Sequence, residues 1–182
     1  MSTHATVAEL EAGLKLIRQA PHSEGLLQLI VRRPDVGERE VLGEGQLDLA
    51  EGLAGDGWSR RRGRRGPDPD AQLTLMGSRA AALVARTPER WALAGDQLYV
   101  DLDLSEENLP AGTRLAVGSA VIEITPPPHT GCKKFVERFG LDAMLFVNSP
   151  MGRALRLRGV NARVVEPGSI AVGDLVRKLP SA

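Results

Sequence analysis

The reading of this chain turns on Ala120-Val121-Ile122-Glu123-Ile124-Thr125-Pro126-Pro127-Pro128-His129-Thr130-Gly131-Cys132-Lys133-Lys134-Phe135. Its first six residues follow Arg114-Leu115-Ala116-Val117 across Gly118-Ser119, which reads as a β-hairpin. Each of the three prolines fixes φ and disfavours helix in the residue before it, so the chain stays extended. Gly131 gives the backbone room to turn, and a helix opens near Lys133. Cys132 is the single cysteine of 182 residues and stands at that junction beside Lys133 and Lys134. Neighbouring cations and a helix N-terminus favour a thiolate, which is both the nucleophile and the soft-metal ligand. The competing reading is a buried cysteine packed as a small hydrophobe.

Outward from this stretch, the texture is that of a barrel or sandwich rather than alternating βα units. Upstream, strands are predicted around Leu27–Val31, Ala71–Met76 and Gln97–Leu102, with Val41-Leu42 and Gln46–Leu49 forming one further strand or a pair. A helix is predicted from Ser78 to Ala85, and another short one after Thr87-Pro88, with Thr87 as cap and Pro88 in the first position. Downstream, Phe135–Phe139 continues the helix and Gly140 stops it. Residues 141–147 read as helical, Asn148-Ser149-Pro150 as a break, and Val160–Val165, Ile170–Val172 and Leu175–Leu179 as strands. At the N-terminus, Val7, Leu10, Leu14 and Ile17 recur at helical spacing, with Thr6 and Glu9 as a capping box. That helix either packs on the domain or docks a partner. The division predicted is a helical extension over 1–22 and a β-barrel domain over 23–182.

Composition sets the outer bounds. The chain is 42% hydrophobic, enough for a core, and its 23 basic and 23 acidic residues cancel. A neutral chain argues against nucleic acid as partner. One cysteine excludes an internal disulfide and a cysteine-only zinc site, and His4, His22 and His129 are too scattered for a histidine cage. No apolar run is long enough to span a membrane and no signal-peptide pattern is present, so a cytoplasmic protein is expected. The most unusual segment is Ser59-Arg60-Arg61-Arg62-Gly63-Arg64-Arg65-Gly66, a glycine-broken arginine run. It reads either as an anion-binding loop, since the guanidinium fork suits phosphate, or as a solvated basic loop.

Several short stretches agree in order: Gly55-Asp56 after an early strand, Gln72-Leu73-Thr74, Gly95-Asp96-Gln97-Leu98, the hairpin running into Gly131-Cys132, and Asn161-Ala162-Arg163-Val164 followed by Gly168–Asp174. The series resembles the MOSC family, the domain found at the C-terminus of molybdenum cofactor sulfurases, over roughly residues 25–179. The resemblance implies a mixed, mostly β fold built round a barrel, with short peripheral helices. It implies binding of molybdenum cofactor, a pterin dithiolene with a phosphate. Cys132 would be either the molybdenum ligand or the carrier of sulfur as a persulfide. Stand-alone bacterial members include reductases of N-hydroxylated compounds; such an enzyme here would need a separate electron-donor protein, and a carrier would need a sulfur donor. A monomer or homodimer is expected, and the family's association with pyridoxal phosphate carries over to no residue. For the phosphate and pterin, Lys133, Arg60, Arg61 and Arg62 are favoured, with Lys134, Arg64, Arg65, Arg156 and Arg158 as further candidates. His129 is read as a donor to the ligand or as a turn histidine bonded to backbone. Asn161 and Arg163 either line the site or hold ladder positions, and Asp56 either orients an arginine or caps its turn. The sequence departs from the family at Trp58, where a histidine often follows the Gly-Asp turn.

Overall fold

The computed structural model describes residues 4–61 and 66–181. Eleven strands are present among them: β1 (Glu24–Arg32), β2 (Glu40–Leu42), β3 (Glu44–Asp48), β4 (Gly52–Leu53), β5 (Leu73–Gly77), β6 (Leu98–Val100), β7 (Arg114–Val117), β8 (Ala120–Pro128), β9 (Val160–Glu166), β10 (Gly168–Ala171) and β11 (Leu175–Lys178). Seven of them close a barrel in the order β11-β7-β8-β9-β5-β6-β1, with β1 pairing back onto β11. Closure removes the unpaired sheet edges that would otherwise template aggregation. Every barrel pairing is antiparallel except β5 with β6, which run parallel across the crossover through residues 78–97. Strands β10, β3 and β4 form a small second sheet.

Two cores follow from the alternation of side chains along the strands. One fills the barrel, with Leu27, Ile30, Leu73, Leu75, Leu98, Leu115, Ile122 and Ile124 all at or near zero exposure. The other lies outside the barrel wall, where Val31, Met76 and Tyr99 meet the helices. Those helices are α1 (Val7–Ile17), α2 (Ser78–Ala85), α3 (Lys133–Phe139), α4 (Leu141–Asn148) and α5 (Pro150–Ala154). Helix α1 opens on the expected Thr6–Glu9 capping box and packs on α2 and α4, burying Leu10 completely. The N-terminal helix therefore lies against the domain.

The hairpin β7–β8 turns at Gly118-Ser119 as read from the sequence. Strand β8 runs on through the prolines, with Pro128 opposite Val160. The short helix after Thr87 is a 3-10 helix, Pro88–Ala94, with Pro88 in its first turn. Thr87 does not cap it through a side-chain hydrogen bond. Helix α5 was not expected: Ser149 caps it by accepting from the Gly152 amide, and Pro150 occupies its first position. The Asn148-Ser149-Pro150 break is thus also a helix start.

Candidate functional site around Cys132

The loop from β8 to α3 is held at both ends by side-chain amides. Asn161 Nδ2 donates to the Pro127 carbonyl at 3.0 Å. Asn148 brackets Gly131, its Oδ1 accepting from the Gly131 amide at 2.8 Å and its Nδ2 donating to the Gly131 carbonyl at 3.0 Å. Only an amide side chain offers an acceptor and a donor at once in this arrangement. Replacing Asn148 by Ala removes both bonds from a half-buried loop. The expected cost is about 1–3 kcal/mol, measured by urea denaturation, with faster exchange of the Gly131 amide hydrogen. An unchanged exchange rate would show that the clamp does not hold this loop.

Cys132 is the N-cap of α3. Its carbonyl accepts from the Phe135 and Val136 amides, while its thiol makes no capping hydrogen bond and is exposed. The reading of a buried structural cysteine is therefore replaced by that of a solvent-open thiol. Lys133 and Lys134 beside it are exposed as well. The helix is anchored from beneath by Phe135 and Phe139, which are buried with ring centroids 4.8 Å apart. Such a tilted pair adds about 0.5–1.5 kcal/mol beyond its burial.

Under the first turn of α3 lies a charged network. Arg158 sits over the Phe135 ring at 5.2 Å and donates to Asp96 Oδ2 at 2.6 Å and to the Ala94 carbonyl at 2.9 Å. Asp96 Oδ1 is 2.9 Å from His129 Nε2. Asp96 is fully buried. Burial pushes its carboxyl pKa up, but the charges of Arg158 and His129 outweigh burial and hold it at about 2. His129 is thus paired with a carboxylate rather than with backbone, and Asp96, read only as part of a Gly-Asp turn, is the centre of the network. A second buried acid does the same at the other Gly-Asp turn. Asp56 accepts from the Arg33 amide and guanidinium and from the Trp58 amide, so it both orients an arginine and fixes its turn.

A hollow of about 190 Å³ lies against this loop, lined by Pro126–Thr130, Arg153, Arg156, Arg158 and Asn161 among others. A larger one of about 420 Å³ adjoins it, sharing Glu106 and Arg156. Of the residues singled out from the sequence, His129, Asn161, Arg156 and Arg158 line the smaller hollow. Cys132 and Lys133 stand outside its lining, on the exposed start of α3. Arg163 is exposed and pairs with Glu123 at 2.6 Å and Asp70 at 3.6 Å, away from both hollows. Arg60 donates to the Pro34 carbonyl, and Arg61 lies near Arg33 and Asp56. Arg62, Arg64 and Arg65 fall outside the described residues. Among the described residues no three His, Cys, Asp or Glu side chains gather as a metal cage, and Cys132 is the chain's single thiol. Asp96, Asn148 and Arg153 were missed. The His129 and Arg158 partners of Asp96 and the Gly131 partner of Asn148 lie 17 to 62 residues away, beyond any local pattern. No helix among the described residues is long and apolar enough to cross a membrane.

The family model for the MOSC domain matches residues 69–177, and the chain belongs to that family. No curated protein matches the sequence. The fold is similar to that of the YuaD protein from Bacillus subtilis, with a TM-score of 0.64 and 18% identity over 87% of this chain and 97% of that one. It is also similar to YiiM from Escherichia coli (TM-score 0.55, 24% identity, 86% of this chain and 71% of that one). YiiM from Geobacillus stearothermophilus gives a TM-score of 0.54 at 14% identity, over 87% of this chain and 74% of that one. At these identities the likeness is one of fold.

Proposed function

We propose that this MOSC protein binds molybdenum cofactor with Cys132 Sγ as the protein's metal ligand, and that it reduces N-oxygenated compounds. The observation that carries the reading is a thiol that is exposed and free of capping bonds, on a loop clamped by Asn148 and Asn161. The donor set fits the group. A thiolate is the soft ligand that molybdenum favours, and Lys133 and Lys134, which pair with no carboxylate among the described residues, suit the phosphate. The smaller hollow is below the roughly 300 Å³ at which pockets enclose a drug-sized ligand, so it accommodates one end of the pterin and not the whole. When bound, the metal supplies the two-electron redox chemistry. The chain's own part is to hold the ligand sulfur and to orient His129 in the hollow against the loop. With Nε2 donating to Asp96, Nδ1 of His129 is the ring atom left to accept or pass on a proton. Electrons come from a separate donor protein.

One observation favours a second reading. Cys132 lies outside the hollow and open to solvent, as a persulfide carrier meeting a donor protein requires. The test is the molybdenum and pterin content of protein made in a host that synthesises the cofactor, wild type beside Cys132→Ala. Near-stoichiometric molybdenum in wild type is expected. Its loss in the variant should exceed the roughly 10–100-fold that outer-shell changes cost, with stability shifted by no more than about 0.5 kcal/mol because the side chain is exposed. A wild type without molybdenum sinks the cofactor reading. The mass of one added sulfur on Cys132 in that same preparation would support the carrier.

A further inference from the structure

Gly95 closes the 3-10 turn Pro88–Ala94 in the left-handed conformation, with φ +89°. The point where a Cβ would stand on it lies in contact range of two cations, so the two guanidinium groups converge on this glycine. Arg39 Nη2 is 3.4 Å from that point and Arg138 Nη1 is 3.6 Å from it. Arg39 Nη1 donates to the Glu38 carbonyl and Arg138 Nη1 to the Leu93 carbonyl, yet neither pairs with a carboxylate among the described residues. Arg39 Nε is buried and has no acceptor. In the same turn Trp91 Nε1 is also buried without an acceptor. A third guanidinium, that of Arg33, donates to the Gly95 carbonyl at 2.8 Å.

The nearby acids are already engaged. Asp56 is taken by Arg33, and Asp96 by Arg158 and His129. Burial, followed by repulsion from Arg138 and Arg33, lowers the pKa of Arg39. Cations brought together with no carboxylate at ion-pair distance among the described residues, one with an orphaned donor, make an incomplete arrangement that an anion completes. Arginine's fork is shaped for tetrahedral oxyanions.

We propose that Arg39 and Arg138 bind an oxyanion, a phosphate or phosphomonoester group, through their converging guanidinium groups beside Gly95. The proposal does not depend on the role of Cys132 or on molybdenum. It uses neither of the hollows and none of the residues assigned to the cofactor.

The experiment is thermal unfolding and tryptophan fluorescence of the full chain, in chloride and in millimolar inorganic phosphate at matched ionic strength. Low phosphate avoids the general stabilisation by excluded salts. Glycerol 3-phosphate is run as a second probe. At a phosphate concentration 100-fold above its Kd, a rise in Tm of roughly 5–10 °C is expected, with a fluorescence change that Trp91→Phe removes. A rise with both probes marks phosphate itself as the recognised group; a rise with the ester alone marks an organic phosphate. Arg39→Met should lose at least most of the rise and, in chloride, be no less stable than wild type because a repelling charge is gone. Arg39→Lys should retain part of the rise. No rise in wild type with either probe beyond that in chloride, or an undiminished rise in both Arg39→Met and Arg138→Met, overturns the proposal.

Discussion

Replacing Asp96 by Asn is expected to destabilise the protein by about 3–5 kcal/mol, because it leaves the buried Arg158 cation without its counter-charge. For a chain of this length that is a fall in Tm of roughly 6–20 °C. The pH dependence gives an independent check. The folded pKa of about 2 lies below the ordinary 3.8. The stabilisation from ionised Asp96 is therefore fully present above about pH 4 and is lost as pH falls through the interval down to about 2. Its size is about 2 kcal/mol. Urea unfolding measured from pH 6 down to pH 2 should show this acid limb in wild type and a shallower one in Asp96→Asn. Parallel limbs in the two proteins would mean that Asp96 does not carry the linkage. The same variant should disorder His129 and the start of α3, since Asp96 and Arg158 tie both to the barrel wall.

The second large effect is expected at Gly159, which leads from the turn after α5 into β9. Its φ is +112°, and a Cβ there would come within 2.1 Å of the Leu75 carbonyl oxygen and 3.3 Å of the Met76 Cα. Those atoms belong to the backbone of β5, pinned on one side by β6 and on the other by β9. They cannot move as the end of a flexible side chain would. Gly159→Ala thus combines backbone strain with overpacking, about 3–5 kcal/mol together. It should also reduce whatever Cys132 and His129 bind, because Arg158 is the preceding residue. Denaturation midpoints and far-UV circular dichroism measure the first effect. A cost below about 1 kcal/mol would show that β5 yields after all.

The barrel was legible because its strands carry their own signals. β-branched runs, glycine turns and the hairpin at Gly118-Ser119 mark β7 and β8, and the three prolines foretold an extended segment. Helix α3 was marked by Gly131 before it and Gly140 after it. Helix α5 was missed although Ser149 and Pro150 are standard start residues, because a proline ending one helix masked its role in starting the next. The site was less legible. Cys132 and His129 were singled out because they sit on one short stretch, and Asn161 because it opens the Asn161-Ala162-Arg163-Val164 block. Asp96 and Asn148 were not, since their meaning lies in partners supplied by other elements. The arginines divided similarly: Arg163 turned out to serve the ladder through Glu123, while Arg39, which drew no notice in sequence, stands beside Gly95 with no carboxylate paired to it among the described residues.

The sequence by itself determined the MOSC fold family, the closed barrel texture, the capped N-terminal helix and the placing of a lone cysteine at a helix start between lysines and prolines. These are local patterns, written in neighbours a few residues apart. Only the tertiary structure decided that the thiol is exposed, that His129 answers to a buried carboxylate, and that Arg39 and Arg138 converge on one glycine. Each of those depends on which strands close the barrel and which helix covers its wall. Chain closure brings together residues dozens of positions apart, and no local pattern records that meeting.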